Sequence, residues 1–361
     1  MNIAFYIDEM NFRGVANSTY QFAFQNQKIL KNKSIVFYNK KNYRNKKEVI
    51  NKFKKKFKVI GVSYFKEIES FKDKLFINYI YVQKSGNKNN WKSTKIKTLV
   101  HSVYPQKLNQ IHGHKYVYIS EWLSKDFSNN KITFIPLITE ISKNKSNLKK
   151  KLRISKDKLV FGCYGGESSF DLKFAQTAII DIVKKKKNIV FIFLNIKKFY
   201  NHKQIKFLKG TLNENLKRKF INSCDAMIYG RSLGESFGLS CGEFTLANKR
   251  IISYKFNRHR SHCYNISPNH FIEYYSYNSL VKMLLNFKKK SLNIQNNYKN
   301  YSKSKVMVIF NNILLKKEQN ISLSFWDYLK NCQGFIKMNY YYLRHKLYNH
   351  YFNYFENRFL K

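Results

Sequence analysis

The chain has 361 residues, 43% of them hydrophobic, and carries 68 Lys and Arg against 21 Asp and Glu, a formal charge of +47. That length gives room for two globular domains of ordinary size with a filled core in each, plus a tail. Five cysteines, odd in number and without metal-ligand spacing, read as reduced and mostly buried thiols and exclude a structural zinc site.

The start, MNIAFYIDEM, lacks the basic residues of a secretory signal, and the cleanest apolar run, Ile189 to Leu194, is too short to span a bilayer, so a cytoplasmic protein is expected. The charge surplus attracts polyanions, nucleotides and anionic membranes. Its lysine runs are scattered, at Lys54 to Lys56, Lys149 to Lys151, Lys184 to Lys187 and Lys288 to Lys290, and so read as solvated surface. No zinc-finger or aromatic RNA-binding motif accompanies them, which argues against nucleic acid as the partner.

In chain order, short apolar runs alternate with helical or mixed stretches. Ile3 to Ile7, Ser34 to Tyr38, Val59 to Val62, Leu75 to Val82, Thr98 to Val103, Tyr116 to Ser120 and Ile132 to Ile138 are the apolar runs, with Tyr20 to Leu30 and Glu48 to Phe57 between them. Strand, helix, strand is the rhythm of a doubly wound α/β unit. The polar, basic stretch Glu140 to Lys151 reads as a linker.

A second α/β unit follows, with strands at Leu159 to Phe161, Ile189 to Leu194, Ile205 to Leu208, Ala226 to Tyr229 and Arg250 to Tyr254. Helices are expected at Phe170 to Lys184, Asn213 to Ser223, Gly238 to Ala247, 271–287 and Lys305 to Leu315, with a loose region from Ser291 to Ser304. The tail, Phe335 to Lys361, sets Ile336, Tyr340, Leu343, Leu347, Tyr351 and Tyr354 at helical spacing among basic residues. Such a helix either packs on the domains or lies on an anionic membrane. The domain division is therefore 1–144, 145–316 and a tail over 317–361.

Glycine is scarce, yet eight of the 13 glycines fall between Gly162 and Gly242. The most informative segment is GRSLGESFGLSCGEFT, Gly230 to Thr245, which places Glu235 and Glu243 eight positions apart around a glycine-broken turn between a strand and a helix. Eight helical residues would span about 12 Å, so Glu235 is expected in the turn and Glu243 about two turns inside the helix. Such a turn lies at the carboxyl edge of a parallel sheet, where the helix N-terminus suits a phosphate.

These segments resemble a retaining glycosyltransferase of the GT-B fold, in the group-one or family-four class that uses nucleotide-sugar donors, over about residues 1–290. GESFGLSCGEF is similar to the family's E-[GS]-F-G-L-x3-E signature, CDAMIYGRS to the strand before it, FGCYGGESSFDLKFA to its glycine-rich donor-phosphate loop and IKFLKG to its nucleotide-base loop. FRGVANSTYQFA resembles the first glycine loop of the amino half. The resemblance implies two Rossmann-like domains facing a cleft, with the donor on the carboxyl domain and the acceptor on the amino domain.

It further implies site roles. Glu235 would accept hydrogen bonds from the donor sugar, and Glu243 would hold the two ribose hydroxyls. The amides of Phe237, Gly238 and Leu239 would bind the terminal phosphate, with Ser236, Gly165, Gly166 and Leu208 lining the donor and Gly14 and Val15 contributing backbone N–H groups. Lys173 would neutralise the leaving diphosphate and His101 would lie near the anomeric centre. The arginine common in the glycine-rich loop is replaced by Cys163 or Tyr164, and Arg231 is the candidate to compensate.

The implied reaction transfers a sugar from a UDP- or GDP-sugar to a glycan, lipid-linked or protein hydroxyl, with retention, without metal or another cofactor. The alternative is an inactive GT-B protein that binds an anionic glycan or nucleic acid. His112 and His114 flank Gly113 without a third ligand and read as loop residues.

Overall fold

Strands form where β-branched and aromatic residues run together, and most are buried on both faces, as parallel strands covered by helices must be. The computed structural model describes residues 1–89, 91–211, 213–289, 295–316 and 318–356. Lys290, the first part of the loose 291–304 region and the last residues of the tail lie outside the described residues. The chain divides into two compact units, Met1–Thr139 with Asn300–Phe335, and Glu140–Lys299 with Ile336–Lys361.

The first unit runs β1 (Asn2–Ile7), α1 (Gly14–Lys28), β2 (Lys33–Asn39), α2 (Lys47–Lys54), β3 (Lys58–Val62), β4 (Ile77–Lys84), β5 (Lys97–Ser102), β6 (Lys115–Tyr118) and α3 (Glu121–Ser128). Among the described residues its sheet has the order β3-β2-β1-β4-β5-β6, and every neighbouring pair is parallel. The chain starts in the middle, winds to one edge and returns to the other side of β1. The carboxyl ends of β1 and β4 therefore form the switch point of the sheet. The Ile132 to Ile138 run makes a single bridge, Phe134 with Tyr118, rather than a strand. Pro136 comes two residues later, after Ile135 has donated to the Tyr118 carbonyl, and has no N–H to extend the pairing.

The second unit repeats this plan with β7 (Leu159–Tyr164), α4 (Lys173–Lys185), β8 (Ile189–Leu194), β9 (Ile205–Leu208), α5 (Glu214–Ser223), β10 (Ala226–Tyr229), β11 (Gly234–Glu235), α6 (Leu239–Leu246), β12 (Arg250–Tyr254), β13 (His259–Arg260), α7 (Ser261–Asn265), β14 (Phe271–Tyr274) and α8 (Tyr277–Leu285). The main sheet is parallel, in the order β14-β12-β10-β7-β8-β9, with all six residues of β8 buried. Its switch point lies between the carboxyl ends of β7 and β10. The segment 271–287, expected to be one helix, begins as β14. Ser276 then caps α8 by accepting from the Ser279 amide at 3.1 Å, and the Ser279 hydroxyl accepts from the Ser276 amide.

The last part of the chain serves both units. Helix α9 (Lys303–Phe310) belongs to the first, although the sequence places 300–316 with the second. Its Phe310 ring lies 5.4 Å from Phe22 and 5.6 Å from Tyr81, and the Tyr301 carbonyl accepts from the Thr139 amide. An apolar helical face says that it must be covered, not which sheet covers it. Helix α10 (Phe325–Tyr351) starts ten residues before the expected tail helix. Its early residue Asn331 donates to the Phe127 and Gln106 carbonyls of the first unit. Farther along, the Tyr348 hydroxyl accepts from the Tyr277 amide, and the Tyr348 and Phe352 rings lie against Phe174 in the second unit.

Candidate functional site

Two loops meet at the switch point of the second sheet. β7 ends in Tyr164-Gly165-Gly166, where Gly165 O accepts from Asn195 Nδ2 at 2.8 Å and the Gly166 amide donates to Ser169 Oγ at 3.0 Å. β10 ends at Tyr229 and leads into Gly230-Arg231. Asp171 ties the loops together: its amide donates to Gly230 O at 2.9 Å, and its carboxylate accepts from the Ser232 amide and hydroxyl at 2.7 and 2.8 Å. Two residues later Lys173 opens α4 with an exposed side chain.

The turn itself depends on backbone conformations that favour glycine. Gly234 has φ +73°, and a Cβ there would run into the His259 carbonyl on the paired strand β13. Gly238 has φ +88° and is the N-cap of α6, and a Cβ would lie 2.9 Å from the Tyr298 hydroxyl. Between them Glu235 is half-buried. Its Oε1 accepts from Tyr229 Oη at 2.8 Å and faces Arg231 Nη1 at 3.3 Å. Ser236 is half-buried beside it. Phe237 is fixed by its carbonyl, which accepts from the Tyr298 hydroxyl at 2.8 Å, and by the edge-to-face contact of their rings. With Gly238 at the cap, the first amides of α6 lack intrahelical acceptors and present the positive end of the helix dipole.

Glu243 sits just past the first turn of α6 rather than two turns inside, because the helix begins only at Leu239. Its side chain is 7% exposed. Oε1 accepts from Lys217 Nζ at 2.8 Å, and Oε2 accepts from Tyr164 Oη at 2.5 Å. Lys217, on α5, also meets Glu214 at 2.7 Å. Burial raises the Glu243 carboxyl above the ordinary range, against the pull of the Lys217 charge and hydrogen bond and of the Tyr164 hydroxyl. Burial works against the Lys217 ammonium too, but the carboxylates of Glu243 and Glu214 outweigh it and hold the lysine charged. A carboxylate offers about four lone-pair positions. Two are used here, so Glu243 retains capacity for a pair of hydroxyls.

The other expected residues fall in several places. Leu208 ends β9, half-buried, at the carboxyl edge of the same sheet. Gly14 and Val15 open α1 in the first unit, and Gly14 faces open space. His101 is fully buried in the first unit, with Nδ1 2.6 Å from the Tyr81 hydroxyl and Nε2 2.9 Å from the Ile135 carbonyl. Burial lowers its pKa to about 4 and keeps it neutral. It is the penultimate residue of β5, which runs on to Ser102. His114 accepts from the Thr98 amide and His112 faces Lys84 Nζ at 3.0 Å. Among the described residues no group of three or more His, Cys, Asp or Glu is placed to hold a metal ion. Cys163 is buried within β7, and burial pushes its thiol up, away from the reactive form.

No family model matches the sequence, and no curated protein matches it. Solved structures do. A glycosyltransferase from Rickettsia africae superimposes with a TM-score of 0.64 at 13% identity, covering 88% of this chain and 99% of that one. HepE of Anabaena, in complex with UDP and glucose, gives 0.62 at 10% identity over 88% of this chain and 100% of its own. A UDP-N-acetylglucosamine 2-epimerase gives 0.56 at 11% identity, covering 90% and 99%.

The chain has the GT-B fold. Within that fold, the glycine turn, the α6 N-terminus and the two glutamates lie together at the switch point of the second unit, where ligands of open α/β sheets bind. Three further residues contact the turn and its glutamates, Lys217, Tyr229 and Asp171, and no motif in the sequence marks them. Tyr164, which stands near the position of the family's loop arginine, also joins them through its bond to Glu243. Lys217 is one of two lysines on α5, and nothing local separates the one that turns inward. Tyr229 was legible in principle, since a tyrosine ending a buried strand needs a partner for its hydroxyl.

Proposed function

We propose that this chain is a nucleotide-sugar-dependent glycosyltransferase whose donor site is the switch point of the second unit. The observation that carries the reading is the environment of Glu243, a buried carboxylate braced by Lys217 and Tyr164 with acceptor capacity left over. A ribose diol supplies the two donors that such a group can still accept. The α6 N-terminus, one turn away, suits the phosphate attached to that ribose. Glu235, half-buried beside Arg231, is positioned to accept from the sugar's hydroxyls.

The donor is a UDP- or GDP-sugar, and the acceptor is a hydroxyl of a glycan, a lipid-linked sugar or a protein. No protein nucleophile is invoked. The leaving phosphate takes the acceptor proton on the face it departs from, which gives retention, while Lys173, Arg231 and the helix dipole stabilise its charge. Metal is not required in this scheme, so chelation leaves turnover unchanged; loss of turnover on chelation with recovery on adding a divalent ion would overturn that element.

The test is a thermal-shift and turnover screen against UDP-, GDP-, ADP-, CDP- and dTDP-sugars, on wild type and on Glu243→Gln, which keeps the shape of the side chain. Stabilisation by one nucleotide class that Glu243→Gln abolishes supports the reading. An isomerised sugar nucleotide with no glycoside formed would replace it with an epimerase. One observation favours a second reading, an inactive GT-B protein that binds anionic glycan or nucleic acid: no cation projects from the β7 loop, where Cys163 is buried and Tyr164 is committed to Glu243. That reading predicts polyanion binding and no response to any donor.

A further inference from the structure

The sequence pattern singles out one face of the C-terminal helix, and the structure places that face on the outside. Ile336, Leu343, Leu347 and Tyr354 are 68%, 59%, 67% and 55% exposed, and Tyr340 is exposed between them. Their spacing of three, four and seven puts them on one side of α10 and of the turn that follows it. The helix packs by the opposite side. Met338 and Phe352 are buried, His345 lies against Tyr254, and Tyr348 is bonded to Tyr277. Arg258 and Arg260 stack on Tyr342 and Tyr341 at 5.3 and 4.7 Å and add to the hold. The apolar stripe is thus presented by a helix that its own unit already fixes in place.

Charge decides what covers it. Between Tyr328 and Phe355 there is no acidic residue, while Lys330, Lys337, Arg344, Lys346 and His350 are interspersed with the apolar positions. Lys337 and Arg344 flank one side of the stripe by helical position and Lys346 the other. A second copy of a chain with a formal charge of +47 is electrostatically disfavoured on such a surface. An apolar stripe edged by basic side chains matches a surface with an anionic rim and a hydrocarbon interior. Among the described residues no helix is long and apolar enough to cross a membrane, so the contact would be parallel to the surface.

We propose that residues 336–354 form an interfacial docking helix that seats the second unit on an anionic lipid bilayer. Leucine, isoleucine and tyrosine enter the acyl boundary and the flanking Lys and Arg engage lipid phosphates. This does not depend on the identity of the donor or on turnover.

The experiment is flotation of the full chain with vesicles of phosphatidylcholine alone and of phosphatidylcholine with phosphatidylserine, at low and high salt. Wild type is expected to float with the anionic vesicles and to be released by salt. Leu343→Glu with Leu347→Glu should reduce the bound fraction by about tenfold or more, since two exposed leucines lose their burial in lipid, without changing the melting temperature. Arg344→Glu with Lys346→Glu should remove the preference for anionic vesicles. Equal flotation of the leucine variant and wild type would overturn the proposal, as would absence of flotation in the wild type. So would sedimentation showing a dimer that the leucine variant breaks, or binding to polyuridylate that the leucine variant loses while vesicles go unbound.

Discussion

Replacing Lys217 by Met keeps the bulk of the stem and removes the charge that faces Glu243. The pair is short, 2.8 Å, and both side chains are mostly buried, at 14% and 7% exposed. At an effective dielectric constant of about 20, charges at that separation attract by about 6 kcal/mol, much of which offsets the cost of taking both out of water. Removing Lys217 leaves the Glu243 carboxylate stranded, and the expected loss is about 3 to 5 kcal/mol at pH 8. The loss is pH-dependent. Burial already raises the Glu243 carboxyl, and without Lys217 it rises further. The folded variant then binds a proton more readily than the unfolded chain, so its stability increases as pH falls through that raised pKa. Urea unfolding followed by circular dichroism should therefore show a midpoint well below wild type at pH 8, with the gap narrowing toward pH 5.5. Adding Glu243→Gln to Lys217→Met should recover much of the loss at pH 8 by removing the stranded charge. A single variant as stable as wild type at pH 8, or a double variant no better than the single, would refute the account of Glu243 as a buried carboxylate held by Lys217.

Gly234→Ala and Gly238→Ala should each lower stability by about 1 to 3 kcal/mol, because the backbone there is left-handed and a neighbour occupies the space of a Cβ. Gly14→Ala, facing open space, should cost nothing; three equal melting shifts would contradict this. Burial lowers His101 to about 4 and His259 and His262 to about 3, so the unfolded chain binds more protons than the folded one between those values and about 6.5. Stability should fall as pH drops through that window, and His101→Gln should reduce proton uptake on unfolding at pH 5 by about one; an unchanged uptake would mean that His101 is charged in the fold. If the donor-site reading holds, Lys173→Ala and Arg231→Ala should together reduce turnover by about a hundredfold or more while leaving nucleotide binding measurable. Unchanged turnover would remove both from the phosphate clamp.

The parallel sheets were legible in the sequence because their strands are runs such as IVFIFL that bury both faces and need no alternation. The glycine turn was legible because Gly234 and Gly238 answer a local demand, positive φ, that few residues can meet. What depends on long-range packing was not. Lys217 and Glu243 lie 26 positions apart and Tyr164 and Glu243 79 apart, and no local pattern marks either pair. The partners of His101 are illegible for the same reason, since Tyr81 lies 20 positions away and the Ile135 carbonyl 34. The amphipathic character of the tail helix is legible from its spacing, but spacing alone does not say that a second face, through Met338 and Phe352, does the packing.

The division of the chain also sets an order of events during synthesis. Phe310, which closes the core against Phe22 and Tyr81, leaves the ribosome only after every strand of the second sheet, the last of which ends at Tyr274. The amino-terminal sheet must wait with that patch uncovered while the second is made, and the second then waits in turn for Tyr348 and Phe352 to cover Phe174. A nascent chain stopped near residue 299 would carry two nearly complete sheets, each lacking its final cover, and would be exposed to aggregation until the last helices emerge.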